Sequence, residues 1–241
     1  MSLCHPGCVT KPSDAQSAII ARDLRLTLGD GPAAVEILRG IDLTVPNGQI
    51  LALLGPSGSG KSSLMAVLSG LERASSGSLH VAGQDFSTLS EDELAQARRG
   101  RIGIVLQAFH LLPTMSAREN VATPLELAGE TDAWERAGHE LDAVGLGHRL
   151  DHYPAQLSGG EQQRVAIARA IAPQPALIFA DEPTGNLDAA TGHDIVDLLF
   201  ARRKASGATL VIITHDPALA AQCDRIVTLA DGLIASDGSV A

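Results

Sequence analysis

Cysteine, aromatic residues, basic charge and long apolar runs are all scarce in this 241-residue chain, and each scarcity excludes something. Three cysteines (Cys4, Cys8, Cys223) are too few, and odd in number, for a disulfide scaffold. They suit a reducing compartment instead. Cys4-His5-Pro6-Gly7-Cys8 has metal-binding residue types but no second half at zinc-site spacing, and it sits in a Pro/Gly-rich tail. Met1-Ser2-Leu3-Cys4 lacks the charged and apolar stretches that precede a lipoprotein cysteine. No apolar run approaches the ~18–20 residues that cross a bilayer. The chain is therefore expected to be soluble and to meet a membrane only through a partner. A net charge of −10 argues against nucleic acid, whose binding surfaces carry excess Lys and Arg. Two small basic clusters, Arg98-Arg99 with Arg101 and Arg202-Arg203-Lys204, read as solvated helix faces and ends. No Phe, Tyr or Trp precedes Phe86.

What is present is organised around Gly55-Pro56-Ser57-Gly58-Ser59-Gly60-Lys61-Ser62-Ser63. The apolar run Ile50–Leu54 before it reads as a buried parallel strand, and Leu64–Leu68 after it as a helix. In that setting G-x-x-x-x-G-K-S is a phosphate-binding loop. Side chains at Gly55, Gly58 and Gly60 would block the approach of backbone N–H groups to phosphate oxygens. The following helix aims its N-terminal donors at the same anion. Lys61 then reaches the β- and γ-phosphates, and the Ser62 hydroxyl is placed to coordinate Mg²⁺. A flexible Gly/Ser turn is the bland alternative. Chance supplies the pattern in roughly one chain per hundred of this length.

The length suits one α/β domain with an inserted subdomain. Residues 1–17 read as a tail. Ile19–Leu28, the alternating Ile41, Leu43 and Val45, and Ser78–Gly83 form an antiparallel β layer beside the nucleotide core. Ser90-Glu91-Asp92-Glu93 is a capping box opening a helix to about Arg99. From Ala108 to about Ala172 the pattern is helix and loop, expected as a helical subdomain (108–172) within an ATPase domain spanning 18–241. Apolar strands recur at Ile102–Leu106, Ala176–Ala180 and Ala208–Thr214, with a helix over about Ala190–Lys204. Asp216-Pro217 starts a short helix, and Arg225–Leu229 with Gly232–Ala235 makes a closing hairpin.

In parallel sheets, ligands sit beyond the carboxyl ends of strands. Gln107, Asp181, Glu182 and His215 each occupy such an end. An Asp there suits Mg²⁺, and the adjoining Glu182 can take a proton from water attacking a γ-phosphate. A strand-end turn or helix cap is the alternative for Asp181-Glu182, and a solvated turn for Gln107. His215, alone among eight histidines, follows a buried strand at the ligand end and is assigned to the γ-phosphate. Leu157-Ser158-Gly159-Gly160-Glu161 supplies a second helix N-terminus with open donors, capped by Ser158.

These motifs in this order resemble the nucleotide-binding subunits of ABC transporters over roughly residues 18–236. Gly55–Ser63 matches Walker A, Gln107 the Q-loop, Leu157–Glu161 the signature motif and Leu177–Glu182 Walker B. Gly185-Asn186-Leu187-Asp188 matches the D-loop and His215 the switch histidine. Phe179–Asp188 looks like the lipoprotein-release and macrolide-export branch, and residues 147–188 and 194–225 look most like its YbbA-like members. The resemblance implies a P-loop (RecA-like) core and a head-to-tail homodimer holding ATP between Walker motifs of one subunit and Ser158, Gly159 and Gly160 of the other. It implies catalytic roles for Glu182, His215 and Lys61, Mg²⁺ held by Ser62, Gln107 and Asp181, and Asp188 at the nucleotide interface. It further implies a separate membrane permease, a place on the cytoplasmic face of the membrane, and export or extraction of a hydrophobic substrate. Phe109-His110-Leu111-Leu112-Pro113 would either receive the permease or pack inside the helical subdomain. One position departs: where the family stacks adenine on an aromatic side chain stands Leu28, leaving aliphatic contact with Leu28 and Val35 and weaker discrimination of ATP from GTP. Two other classes fit worse. A ribosome- or DNA-acting ABC protein would carry paired cassettes or long coiled-coil insertions, and a small-molecule kinase would lack the signature motif and Asp181-Glu182-Pro183.

Overall fold

The computed structural model describes residues 16–29 and 31–240, so the Cys4–Cys8 cluster and most of the expected tail lie outside the described residues. The tail reading ran too far by a residue or two, because Ser17 already opens a strand. Strands β1 (Ser17–Leu28), β2 (Val35–Pro46), β4 (Ser76–Val81) and β5 (Gln84–Asp85) form an antiparallel sheet in the order β2-β1-β4-β5. Ala82 and Gly83, expected inside a strand, instead adopt positive φ and turn β4 into β5.

The second sheet has six strands in the order β10-β9-β3-β8-β7-β6. These are β3 (Ile50–Leu54), β6 (Ile102–Val105), β7 (Leu177–Asp181), β8 (Thr209–Ile213), β9 (Arg225–Ala230) and β10 (Leu233–Ser239). All neighbours are parallel except the β9–β10 hairpin. Helices α1 (Lys61–Leu68), α2 (Glu91–Arg98), α3 (Ala117–Leu127), α4 (Ala133–Ala143), α5 (Gly159–Ile171), α6 (Ala189–Ser206) and α7 (Pro217–Ala220) complete it. The expected helix starts at Ser90 and Asp216 are built as read: Ser90 and Glu93 close a capping box, and Asp216 caps α7 with Pro217 at its first position.

Alternation along the strands sorts the core into layers. Leu51, Leu53, Leu177, Phe179, Val211 and Ile213 face α1 and the antiparallel sheet. Ala52, Ile178, Ala180, Leu210 and Ile212 face the helices on the other side, including Ile195 and Leu199 of α6. Helices α3, α4 and α5 bury a third cluster around Val121, Leu125, Leu141 and Val165. With strands buried on both faces, the polar residues at their carboxyl ends share one rim.

The basic clusters are more engaged than solvated faces would be. Arg98 donates to the Gly70 carbonyl, Arg203 to the carbonyls of Ala208 and Gly48, and Arg202 pairs with Glu140. In the stretch after Gln107 the two readings divide residue by residue. Leu111 packs on the α3–α5 cluster, whereas Leu112 stays exposed.

Candidate nucleotide site

Strand β3 delivers the glycine-rich loop to the rim at the centre of the sheet, between β8 and β9. Gly55 has φ 151°, and a Cβ there would lie 2.3 Å from the Leu229 carbonyl oxygen. Gly60 precedes α1 at φ 98°, where a Cβ would come within 3.2 Å of Leu38 and 3.3 Å of the Ile37 carbonyl oxygen. Strand β2 therefore presses on the loop from outside, and close backbone approach makes these glycines necessary. Gly58, by contrast, has open space and needs only its φ of 80°. The Lys61 ammonium donates to the carbonyls of Gly55 (2.8 Å) and Pro56 (2.9 Å), curling the loop around itself. Ser59 is buried, and its hydroxyl has no partner.

A cleft of about 480 Å³ opens between this loop and the neighbouring strand ends. Gly55, Ser57, Gly58, Gly60, Lys61, Ser62 and Ser63 form one wall, with Gln107, Asp181, Glu182 and His215 opposite. Burial is the main cause lifting the Asp181 carboxyl above the usual aspartate range. The neighbouring Glu182 charge also raises it, against the Ser62 hydrogen bond and the Lys61 cation. Glu182 accepts at Oε1 from His215 Nδ1 at 2.8 Å, with the Glu182 side chain largely covered and the imidazole open to solvent. Its backbone has φ 43°, uncommon for a side-chain-bearing residue. The Glu182 N–H donates to Ile213 of β8 at 2.9 Å.

The remaining expected residues stand apart from this cleft. Pro56 and Ser59 belong to the loop but not to its wall. Leu28 and Val35 pair across the open end of β1 and β2, both largely exposed, and neither lines the cleft. Ile37, two residues along β2, does line it. Sequence reasoning passed over Ile37, although the two-residue strand period from Val35 pointed to it. Ser158 caps α5 through a capping box with Glu161, whose carboxyl is held low chiefly by the Ser158 backbone N–H. Gly159 and Gly160 lie in the first turn of that helix and do not line the chain's own cleft. A Cβ at Gly160 would meet Thr191 Cγ2 at 2.6 Å, so this glycine also admits close packing on α6. Asp188 caps α6 by accepting from the Thr191 N–H (3.0 Å) and hydroxyl (2.7 Å), which lower its pKa. It lines a second cleft that shares Glu182 and His215 with the first.

Two contacts of α5 were invisible in the sequence. Gln163 Nε2 donates to the Pro183 carbonyl at 2.8 Å. Arg169 donates to the carbonyls of Phe109 (2.8 Å) and His110 (2.6 Å), consecutive residues that both have positive φ. Across the rim, the Asn186 side-chain amide donates to the Gln107 carbonyl at 2.8 Å.

A phosphate loop at the centre of a parallel sheet, facing an Asp-Glu strand end, defines a P-loop nucleoside triphosphatase. The ABC transporter family model matches residues 38–185, and the chain belongs to that family as an ATP-hydrolysing cassette. It is 48% identical over 220 residues to the uncharacterized ABC transporter ATP-binding protein YbbA of Escherichia coli (strain K12), covering 90% of this chain and 96% of that protein. It is 46% identical to the lipoprotein-releasing system ATP-binding protein LolD of Zymomonas mobilis, over 93% of this chain and 97% of that one. The macrolide export ATP-binding/permease protein MacB of Syntrophobacter fumaroxidans is 48% identical, matching 88% of this chain but only 30% of its own length. Among solved structures, a dimeric post-hydrolysis state of the ATP-binding cassette MJ0796 bound to ADP and Pi superposes with a TM-score of 0.85. That chain is 36% identical, and the match covers 92% of this chain and 99% of that one.

Proposed function

We propose that this chain is the nucleotide-binding subunit of an exporter or extractor of hydrophobic molecules, working as a head-to-tail homodimer on a separate membrane permease. Among the described residues no helix is long and apolar enough to cross a membrane. The membrane step therefore falls to the permease, with this subunit at its cytoplasmic face. The likeness to a lipoprotein-releasing ATPase and to a macrolide exporter supports the substrate class. Ser158, Gly159 and Gly160 do not line the chain's own cleft, which suits their closing on nucleotide held by a second copy. Asp188 would stand at that interface.

The observation that carries the catalytic reading is the Glu182–His215 hydrogen bond opposite the phosphate loop. In-line attack of water on the γ-phosphorus forms one P–O bond as the bond to the bridging oxygen breaks. Glu182 takes the water proton at its carboxylate, and ADP leaves with inorganic phosphate formed. His215 orients that carboxylate and faces the γ-phosphate, while Lys61 counters charge on the β- and γ-oxygens. The Ser62 hydroxyl, the Asp181 carboxylate and the Gln107 amide oxygen form an all-oxygen set that suits Mg²⁺. When bound, that ion neutralises charge on the phosphate oxygens.

Glu182→Gln keeps the shape and removes the base. Turnover in a phosphate-release assay should fall by about 10²–10⁴-fold, the usual worth of a positioned general base. ATP-bound dimer should accumulate in size-exclusion chromatography. Undiminished hydrolysis would take Glu182 out of this role.

A further inference from the structure

Helix α5 reaches the back of the Glu182 turn through one buried side chain. Gln163 is wholly buried, and its Nε2 donates to the Pro183 carbonyl at 2.8 Å. Its Oε1 is buried without any partner. Leaving half of a buried amide unmatched disfavours folding, and an apolar side chain of the same shape would avoid that penalty. The amide orientation is fixed chemically, because a carbonyl oxygen accepts and only the –NH₂ can donate to it. The donor goes to the residue directly after Glu182.

Glu182 needs such support. Its φ of 43° is a conformation that side-chain-bearing residues hold only when their surroundings enforce it. Three hydrogen bonds do so: the Glu182 N–H to the Ile213 carbonyl, the Gly185 N–H to the Glu182 carbonyl (3.0 Å), and Gln163 to the Pro183 carbonyl. The first two tie the turn to β8 and to itself. The third alone ties it to α5, the helix that Ser158 caps.

We propose that Gln163 is a positioning residue for hydrolysis, holding the Pro183 carbonyl so that the Glu182 carboxylate stays in its left-handed turn against His215. This rests on the reading of Glu182 as the base. Without the donor the turn relaxes, the carboxylate shifts, and the chemical step slows. The phosphate loop, which Gln163 does not touch, still binds nucleotide.

The test uses the full chain and three variants. Gln163→Met keeps the volume without the donor. Its kcat should fall about 10–100-fold, the cost of misplacing a reacting group by about an ångström, while KM for ATP and the affinity for a fluorescent ATP analogue stay within about twofold. Gln163→Glu can donate only when protonated, and burial raises its carboxyl pKa. Its activity relative to the unsubstituted chain should therefore rise as pH falls, whereas the Gln163→Met ratio stays flat. Glu182→Gln separates the two readings. If it retains turnover, the assignment of the base fails; if it is inactive while Gln163→Met turns over normally, the positioning role fails. Parallel loss of binding and turnover in Gln163→Met would reduce Gln163 to a packing residue and overturn the proposal. Should that variant not fold, the Gln163→Glu ratio decides alone, and a pH-independent ratio overturns it.

Discussion

The two ends of the nucleotide site are made differently. At the phosphate end, backbone is packed against backbone: Gly55 lies under the Leu229 carbonyl, Gly60 against Ile37 and Leu38, and Lys61 over two loop carbonyls. At the expected base end, Leu28 and Val35 pair across β1 and β2 and are 45% and 57% exposed. On the proposed reading, triphosphate recognition is geometric and intolerant of change, whereas base recognition by Leu28 and Val35 would be apolar contact with little shape. One end would then fix the chemistry, and the other would specify the choice of nucleotide only loosely.

The largest effect that would sharpen this contrast is at Gly55. Gly55→Ala puts a methyl into a backbone carbonyl and should cost about 2–4 kcal/mol in stability, with ATP affinity lost alongside. Urea unfolding and calorimetric ATP titration measure both, and a variant that folds and binds normally would break the contrast. A smaller effect concerns pH. Because the Asp181 carboxyl is raised by burial and by Glu182, it takes up its proton at a higher pH than an ordinary aspartate. A protonated carboxyl is a poor cation ligand. The Mg²⁺ concentration giving half-maximal ATPase activity should therefore begin to rise at a higher pH than an ordinary aspartate ligand would give. Over the same range the ATP-to-GTP preference should stay constant, since neither Leu28 nor Val35 titrates. The smallest effect is Leu28→Tyr, which should improve ATP affinity about two- to twelvefold through stacking worth ~0.5–1.5 kcal/mol. A strong ATP preference in the unsubstituted chain, measured by competition binding, would show the base end to be better specified than its exposure suggests.

Much of the phosphate end was readable in the sequence because its residues are chemically conspicuous. Glycines at fixed spacing, a Lys-Ser pair, and Asp, Glu, Gln and His at the ends of apolar strands leave few alternatives, and the cleft gathers them. The other contributors act through main-chain atoms that carry no residue-type signal. Gln163 finds a carbonyl twenty residues away and Arg169 one that is sixty away, and neither partner's identity matters to the bond. Gly160 looked like an open donor, yet its nearest demand is the methyl of Thr191. Leu28 and Val35 came from the resemblance, and the sheet carries Ile37 rather than either of them to the wall of the cleft.

The grip of Arg169 on the turn after Gln107 has a consequence of its own. Because the guanidinium takes hold of Phe109 and His110 by their oxygens alone, that contact does not depend on which side chains those two positions bear, provided they tolerate the positive-φ backbone. A surface fastened in that manner can change what it displays to a visiting protein without moving where it stands.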